Sequence, residues 1–379
     1  MKTLAAVLER AGAARPYADS RPLGVQELDL APPGPGELLV RIEAAGVCHS
    51  DLSTVDGTRP RPVPMVIGHE AAGVVEHAEG VADVREGDHV VLAFVPSCGN
   101  CAECSSGRPA LCPAAAAANG AGRLLGGARP FRRGAQEIHR HLGVSAFAER
   151  TVVSRASAVV VPAEVPLETA ALFGCAVLTG VCAVLNAARV RAGEPVAVFG
   201  LGGVGLSTVM GARVAGATPV FAVDPVASKR ELALELGADV ALAPEEAVEA
   251  IREATGGGAR HTYEAAGHAT VLEAAYRATG RGGTTVSLGL AHPDQELRLQ
   301  ALSLVAEART VIGAYMGSAA PQRDIPRLIS LWRAGLLPVE RLVTGTLLLG
   351  EINAALDALA GGSAVRQIVI PAEPRQRRA

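Results

Sequence analysis

The sequence predicts an α/β-plus-β protein with a β-rich part and a doubly wound parallel sheet covered by helices. Three observations carry this. The first hundred residues break into short β-branched runs separated by Gly and Pro. From Pro195 onward, continuous apolar runs alternate with helical ones. A glycine-rich turn joins the first of those apolar runs to the first of those helices.

In chain order, ELLVRIEAAGVC (37–48), AAGVVEHA (71–78) and DHVVLAFV (88–95) read as strands ending at turn residues. A cysteine-rich loop follows, then an Ala-, Gly- and Arg-rich stretch (114–140) without a clear period, read as irregular. PVAVFG (195–200) is a buried strand and VGLSTVMGARVAGA (204–217) a helix. PVFAVD (219–224) and SKRELALELGA (228–238) repeat the pair. Strands at 238–243, 261–267, 284–290 and 310–316 bring the parallel sheet to six. After about residue 320 come a helix (DIPRLISLWRAG), a strand (GTLLLG), a helix (EINAALDALAGG) and a last strand (RQIVIP). The tail PAEPRQRRA reads as a disordered, solvated end.

Length sets the scale at about two domains. With 49% hydrophobic and 19% charged residues, the chain can bury a large core, and only 3% aromatics leave Ala, Val and Leu to fill it. A net charge of −3 argues against nucleic acid or an anionic membrane as partner. The amino terminus is a poor signal peptide, because Glu9 and Arg10 interrupt its apolar run. Ala170 to Ala188 carries no formal charge, but it is Ala-rich and contains Gly174, Thr179, Gly180 and Asn186, so it reads as a buried soluble segment. The expected location is the cytoplasm, where thiols stay reduced and clustered cysteines point to metal.

Gly200-Leu-Gly202-Gly203-Val204-Gly205 fits G-x-G-x-x-G in the strand–turn–helix setting that a dinucleotide fingerprint needs. Gly200 allows the tight turn, Gly202 lets backbone approach a pyrophosphate, and Gly205 lets the helix pack on the strand. The phosphates then face a helix amino terminus. Asp224, about 20 residues further on, ends the second strand. A carboxylate there accepts hydrogen bonds from ribose hydroxyls and repels a 2′-phosphate, which favours NAD over NADP.

Cys98, Cys101, Cys104 and Cys112 form C-x2-C-x2-C-x7-C. Four thiolates so spaced can surround one tetrahedral Zn²⁺, filling its coordination sphere and making the ion structural. The segment between them has almost no hydrophobic content, so the metal would hold it together. An iron–sulfur cluster is the sharper alternative, disfavoured because no second cluster is evident. Redox cysteines are the plainer one.

Cys48, Cys175 and Cys182 remain, and spacing alone does not assign them; a lone cysteine in an apolar run is usually a small buried hydrophobe. The local strings add more. GVCHSD (46–51), GHE (68–70), the four-cysteine loop, LFGCAVLTG (172–180), GLGGVG (200–205) and AVDPVASK (222–229) occur in this order. Together they resemble the zinc-containing medium-chain alcohol dehydrogenases. The resemblance runs from about residue 6 to 371 and continues through IHRHLGVSAFAERTVV (138–153) and VRQIVIP (365–371).

The resemblance implies a chaperonin-10-like, β-rich catalytic domain at 1–176 and 316–379, with a Rossmann domain inserted at 177–315. It implies a catalytic zinc held by Cys48, His69 and Cys175 with one open position, and a structural zinc in the four-cysteine loop, hence two per chain. Asp51 matches the acid that orients the histidine ligand, and Glu70 matches a carboxylate near the metal. Cys182 matches no ligand. Zinc acidifies a bound alcohol and polarises a carbonyl, so hydride passes between the alcohol carbon and the nicotinamide of NAD. Ser50 matches the hydroxyl that passes on the alcohol proton. Thr179, Val204, Leu290 and Lys229 match cofactor contacts, and Arg366 matches a pyrophosphate contact. Such enzymes act on small molecules and are commonly homodimers, with tetramers as the alternative; the apolar strand TVIGAYM is the expected joining edge.

Some positions depart from the pattern. Ser53 stands where many members carry a histidine ending the proton relay. His49 replaces the arginine that animal members place on the pyrophosphate, a contact a histidine would hold less permanently. In the substrate pocket Phe94 matches the apolar wall, while His141 and Arg59 replace an aromatic and an aliphatic residue. Two basic side chains there would select a polar or acidic substrate; both pointing to solvent is the plainer alternative. A thiol-dependent formaldehyde dehydrogenase is the nearest rival within the family. A non-catalytic zinc- and nucleotide-binding redox sensor is the rival of another class, and it would have no need of an open metal position.

Overall fold

The computed structural model describes residues 1–372; the arginine-rich tail beyond them lies outside the described residues. The chain divides into two compact units. One comprises Met1–Cys175, Ala320–Pro326 and the residues from Val343 on; the other comprises Ala176–Ala319 and Arg327–Leu342.

The first unit is β-rich. One sheet runs in the order Ala158–Val161, His89–Leu92, Glu70–Glu79, Glu37–Val47, Arg366–Ile370 and Val343–Leu348, with Arg150–Ser154 also paired to Glu37–Val47. The ladder between Glu37–Val47 and Glu70–Glu79 shifts register twice, which bends the long strand. A second sheet is built around Lys2–Leu8, paired antiparallel with Leu23–Leu30. Small and branched residues, Ala5, Val7, Leu28, Leu39 and Val66 among them, are buried beneath it beside Phe131. The low aromatic content predicts this composition.

The stretch 114–140 is more regular than its sequence suggests. Pro113–Gly120 is a helix with its proline in the first turn. Phe131–Arg133, Gln136–Glu137 and His139–Arg140 are strands. A run of alanines has high helix propensity but no apolar–polar period, and strands of two or three residues are too short to show alternation. The run 88–95 is a strand only over His89–Leu92; Ala93 turns its N–H to Ser157 instead.

The second unit holds six parallel strands in the order Val240–Leu242, Val220–Val223, Val196–Phe199, Ala259–Glu264, Thr279–Ser287 and Thr310–Gly313. The order reverses at Val196–Phe199, the switch point where this topology leaves a crevice beyond the strand ends. Every residue of Val196–Phe199 and Val220–Val223 is buried, as continuous apolar strands in a covered sheet must be. Helix Gly203–Val214 packs closely on Ala176–Cys182; a Cβ at Gly180 would lie 2.4 Å from the Val204 carbonyl oxygen. The uncharged run from Ala170 is interrupted at Cys175, which has φ −144° and ψ −75°. Among the described residues no single helix is long and apolar enough to cross a membrane.

Candidate functional site

Cys48 follows the bent strand Glu37–Val47 and caps helix His49–Val55. One oxygen of Asp51 accepts a hydrogen bond from the Cys48 N–H at 3.0 Å. The other lies 2.9 Å from His69 Nδ1. That contact leaves His69 Nε2 as the free ring nitrogen, and it sits 3.6 Å from Cys175 Sγ. Ligands of a tetrahedral zinc, with Zn–S near 2.3 Å and Zn–N near 2.05 Å, lie about 3.6 Å apart. The ligand atoms of Cys48, His69 and Cys175 all fall within 4.8 Å of one another, and all three residues are buried. The chemistry of the donors fits as well. The neighbouring Cys175 thiol, Arg366 and His69 hold Cys48 well below the usual thiol range against its burial, whereas Cys175, beside the Cys48 thiolate and buried, is pushed well above it. A divalent cation would relieve that crowding.

Behind these residues lies a buried ion pair. Glu70 is fully buried, and Gly46 opposite it makes the room: a Cβ there would meet Glu70 Oε1 at 2.6 Å. Burial pushes the Glu70 carboxyl up to about 7, opposed by Arg366. Arg366 Nη2 is 3.5 Å from Glu70 Oε2, and Nη1 donates to the Val47 carbonyl at 3.0 Å. Burial disfavours the Arg366 charge, but Glu70 and the two thiols outweigh it and raise its pKa. The guanidinium expected on a pyrophosphate is thus 3% exposed and engaged with Glu70.

The other predicted residues of this unit fall around the same helix. Ser50 and Ser53 are half-buried on it, and His49 is exposed. Phe94 packs its ring edge-on to His69 at 5.6 Å. Arg59 is half-buried, its N–H bonded to the Ser53 carbonyl. His141 does not point to solvent: it is 1% exposed and sits against His69, Asp51 and Thr54. A charge on it would be compensated by Asp51, so it is poorly placed to select an acidic substrate.

In the four-cysteine loop, all four sulfurs lie within 4.8 Å of one another, and Cys112 is the buried member. A tetrahedral zinc–thiolate site has sulfurs about 3.8 Å apart. Backbone N–H groups at Asn100 and Cys101 lower the Cys98 thiol to about 7, while burial raises Cys104 to about 12.

In the second unit the glycine loop has the geometry its spacing predicts. Gly200 has φ +91°, a left-handed conformation that disfavours a side chain. A Cβ at Gly205 would lie 1.8 Å from the Gly200 carbonyl oxygen, whereas one at Gly202 would meet nothing within 4 Å. The Asp224 carboxylate closes the loop, accepting from Leu201 N–H at 2.8 Å and Val226 N–H at 2.9 Å. Gly203 and Val204 open the helix, Thr179 is buried, Lys229 is half-buried, and Leu290 is exposed. Two residues here carry no clear sequence signal. Arg230 donates to the Asp224 and Pro225 carbonyls. Glu264, buried at a strand end, accepts from the Gly267 and His268 N–H groups and so fixes the loop that packs on Leu290. An acid in a buried strand is the one hint the sequence offers for Glu264.

Comparisons with known proteins identify the family. Over 98% of its length the chain is 42% identical to an NDMA-dependent alcohol dehydrogenase of Amycolatopsis methanolica, spanning 99% of that protein. The chain belongs to the zinc-containing medium-chain alcohol dehydrogenase family. Residues 34–163 match the alcohol dehydrogenase GroES-like domain, and residues 203–333 match the zinc-binding dehydrogenase domain. An S-(hydroxymethyl)glutathione dehydrogenase of Synechocystis is 38% identical over 97% of this chain and 100% of its own. Among solved structures, an alcohol dehydrogenase zinc-binding domain protein from Burkholderia ambifaria is 38% identical with a TM-score of 0.92. It is covered over 98% of this chain and 100% of its own. Benzyl alcohol dehydrogenase from Acinetobacter calcoaceticus is 31% identical with a TM-score of 0.91, over the same shares of both chains. The chain is therefore an oxidoreductase of the zinc alcohol dehydrogenase type, and both thiolate clusters have the donors that zinc takes.

If the four-cysteine loop is a zinc-dependent fold, replacing its buried member has a local effect. Cys112→Ser is expected to remove one zinc per chain, lower the melting temperature and open the loop to proteolysis. Metal analysis, calorimetry and limited digestion on one preparation check it.

Proposed function

We propose that this alcohol dehydrogenase transfers a hydride between an alcohol and NAD, with one catalytic and one structural zinc in each chain. The observation that carries the reading is the buried Cys48–His69–Cys175 cluster, with His69 turned toward it by Asp51. Zinc bound there would polarise the substrate oxygen and make an alcohol more acidic. Cys48, His69 and Cys175 would hold it, Asp51 would fix the histidine tautomer, and Ser50 would carry the proton onward. Glu70 and Arg366 balance charge beneath the thiolates. In this reading residues 1–176 and 316–379 form the catalytic domain and 177–315 the nucleotide domain, although Arg327–Leu342 group with the nucleotide unit.

NAD is supported by the open face of Gly202, the helix amino terminus at Gly203 and the acid at Asp224. Val204, Thr179, Lys229 and Leu290 are its further contacts. Asp224→Asn is expected to lower kcat/KM for NAD⁺ about 10-fold or more, as loss of hydrogen bonds to a charged group does. The preference over NADP⁺ should narrow with it. Steady-state kinetics with both cofactors read the change.

Similarity to a benzyl alcohol dehydrogenase supports an aryl alcohol as substrate. A second reading, oxidation of a hydroxymethyl-thiol adduct, is favoured by the S-(hydroxymethyl)glutathione dehydrogenase relative. Because the relative at 42% identity is NDMA-dependent, NDMA belongs in the assay as an acceptor beside NAD⁺. A homodimer through the strand Thr310–Gly313 is supported by its place at the end of the sheet, close in sequence to the exposed Leu302 and Val305. The reading also places the enzyme in the cytoplasm. The test is turnover of aliphatic, benzylic and acidic alcohols, and of formaldehyde with and without glutathione. Oxidation of a simple aryl alcohol without thiol supports the first reading, and strict dependence on thiol supports the second.

A further inference from the structure

The side chain of His141 has an environment that a substrate-pocket wall does not need. Its ring is 1% exposed. Nε2 lies 3.3 Å from Thr54 Oγ1, and Thr54 in turn donates to the Ser50 carbonyl at 3.0 Å. Nδ1 lies 3.3 Å from Asp51 Oδ1, the oxygen that also faces His69 Nδ1 at 2.9 Å. It does not point along a hydrogen-bond axis to that oxygen. The His69 and His141 rings meet edge to face with centroids 5.4 Å apart. One carboxylate oxygen is therefore set between two imidazoles, while the other is fixed by the Cys48 N–H.

The backbone holds this arrangement under strain. Leu142 and Ser145 have φ of +48° and +54°, and Gly143 has +69°. Non-glycine residues rarely adopt such values, and they persist where the surroundings over-determine them. Here the His141 N–H donates to Ser145 Oγ at 2.9 Å, and that hydroxyl donates to the Val66 carbonyl at 2.8 Å. The Ser145 hydroxyl thus ties the turn to Val66.

We infer that His141 is a positioning residue for the catalytic metal site: it confines the Asp51 carboxylate and, through Thr54, the helix that carries Ser50. Asp51 in turn fixes the orientation of His69. This rests on the proposed zinc at Cys48, His69 and Cys175. A buried carboxylate with polar neighbours on two sides has less freedom to turn than one held by His69 alone. The ligand it orients is correspondingly better aligned, and outer partners of this kind commonly change metal affinity by about 10–100-fold.

The experiment compares wild type, His141→Phe and His141→Asn. Phenylalanine keeps an aromatic wall without polar atoms, whereas asparagine keeps a polar atom where Nδ1 stands. Zinc release to a chromophoric chelator is followed in the full-length protein, with the visible spectrum of the cobalt-substituted protein as a second readout. The expected result is loss of one of the two zinc ions about 10-fold or more faster in His141→Phe, with a shifted cobalt band and substantial recovery in His141→Asn. Wild-type release and an unchanged band in His141→Phe would overturn the inference, as would an asparagine variant no better than phenylalanine. If His141→Phe does not fold, Thr54→Val probes the same anchor: release several-fold faster supports the inference, and an unchanged rate overturns it. Wild-type protein with a single zinc refutes the parent reading, whereas two zinc ions with unchanged release in the variants refute this one alone.

Discussion

Cys175→Ala is expected to abolish turnover, lowering kcat at least about 10³-fold, because metal activation supplies several kcal/mol of charge stabilisation. Cys175 Sγ lies 3.6 Å from His69 Nε2 and beside Cys48, and no other cysteine approaches that cluster among the described residues. Removing it leaves two ligands, too few for a stable zinc site of this type. One zinc should be lost, while the four-cysteine loop keeps the other. Cys182→Ala is the matched control. It lies in the same run and is 1% exposed, but it is outside both clusters. Its replacement should cost stability on the order of 1 kcal/mol and leave zinc content unchanged. Metal analysis and single-turnover kinetics on the two variants separate ligand from core.

Gly205→Ala should damage the other half of the chemistry as severely. A Cβ at this position would sit 1.8 Å from the Gly200 carbonyl oxygen, well inside contact distance and against backbone. Gly200 cannot retreat freely. Its own Cβ position is 2.7 Å from the Ala266 nitrogen, and its N–H is bonded to the Val223 carbonyl at 2.8 Å. Either the helix Gly203–Val214 shifts away from the strand or the turn opens. Both displace the amide groups proposed to receive the pyrophosphate. The expected cost is about 3 kcal/mol, from overpacking against backbone, which for a unit of this size is a fall of roughly 6–12 °C in Tm. Dinucleotide binding should be lost even below that Tm. Gly202→Ala, where a Cβ would meet nothing within 4 Å, should leave Tm unchanged and weaken only dinucleotide binding. Thermal melts with and without NAD⁺ distinguish the two.

The parallel sheet was legible because burial on both faces forces unbroken apolar strands, as at Val196–Phe199 and Val220–Val223. The glycine loop was legible because its constraint is local: Gly200, Gly202 and Gly205 answer to contacts a few residues away. The four cysteines were legible by spacing for the same reason. Cys48, His69 and Cys175 were not, since the folding of two sheets and the turn before Cys175 brings them together; only their flanking strings marked them. The helix Pro113–Gly120 was hidden in an alanine run without a period. The placement of His141 was hidden more deeply. It depends on a left-handed turn at Leu142–Ser145 and on Asp51 and Thr54 from a distant helix, and no pattern around residue 141 encodes that meeting. Arg366 reaches Glu70 only because Arg366–Ile370 pairs beside Glu37–Val47.

Zinc content and alcohol oxidation measured on one wild-type sample, with NAD⁺ and NDMA as alternative acceptors, and again after Cys175→Ala, decide whether the Cys48–His69–Cys175 site is the catalytic zinc. Two zinc ions per chain and alcohol-dependent reduction of NAD⁺ are expected, both readouts falling together in the variant to one zinc and no turnover. Turnover that survives loss of the Cys48–His69–Cys175 zinc, or a wild-type chain carrying zinc only in its four-cysteine loop, would contradict that assignment.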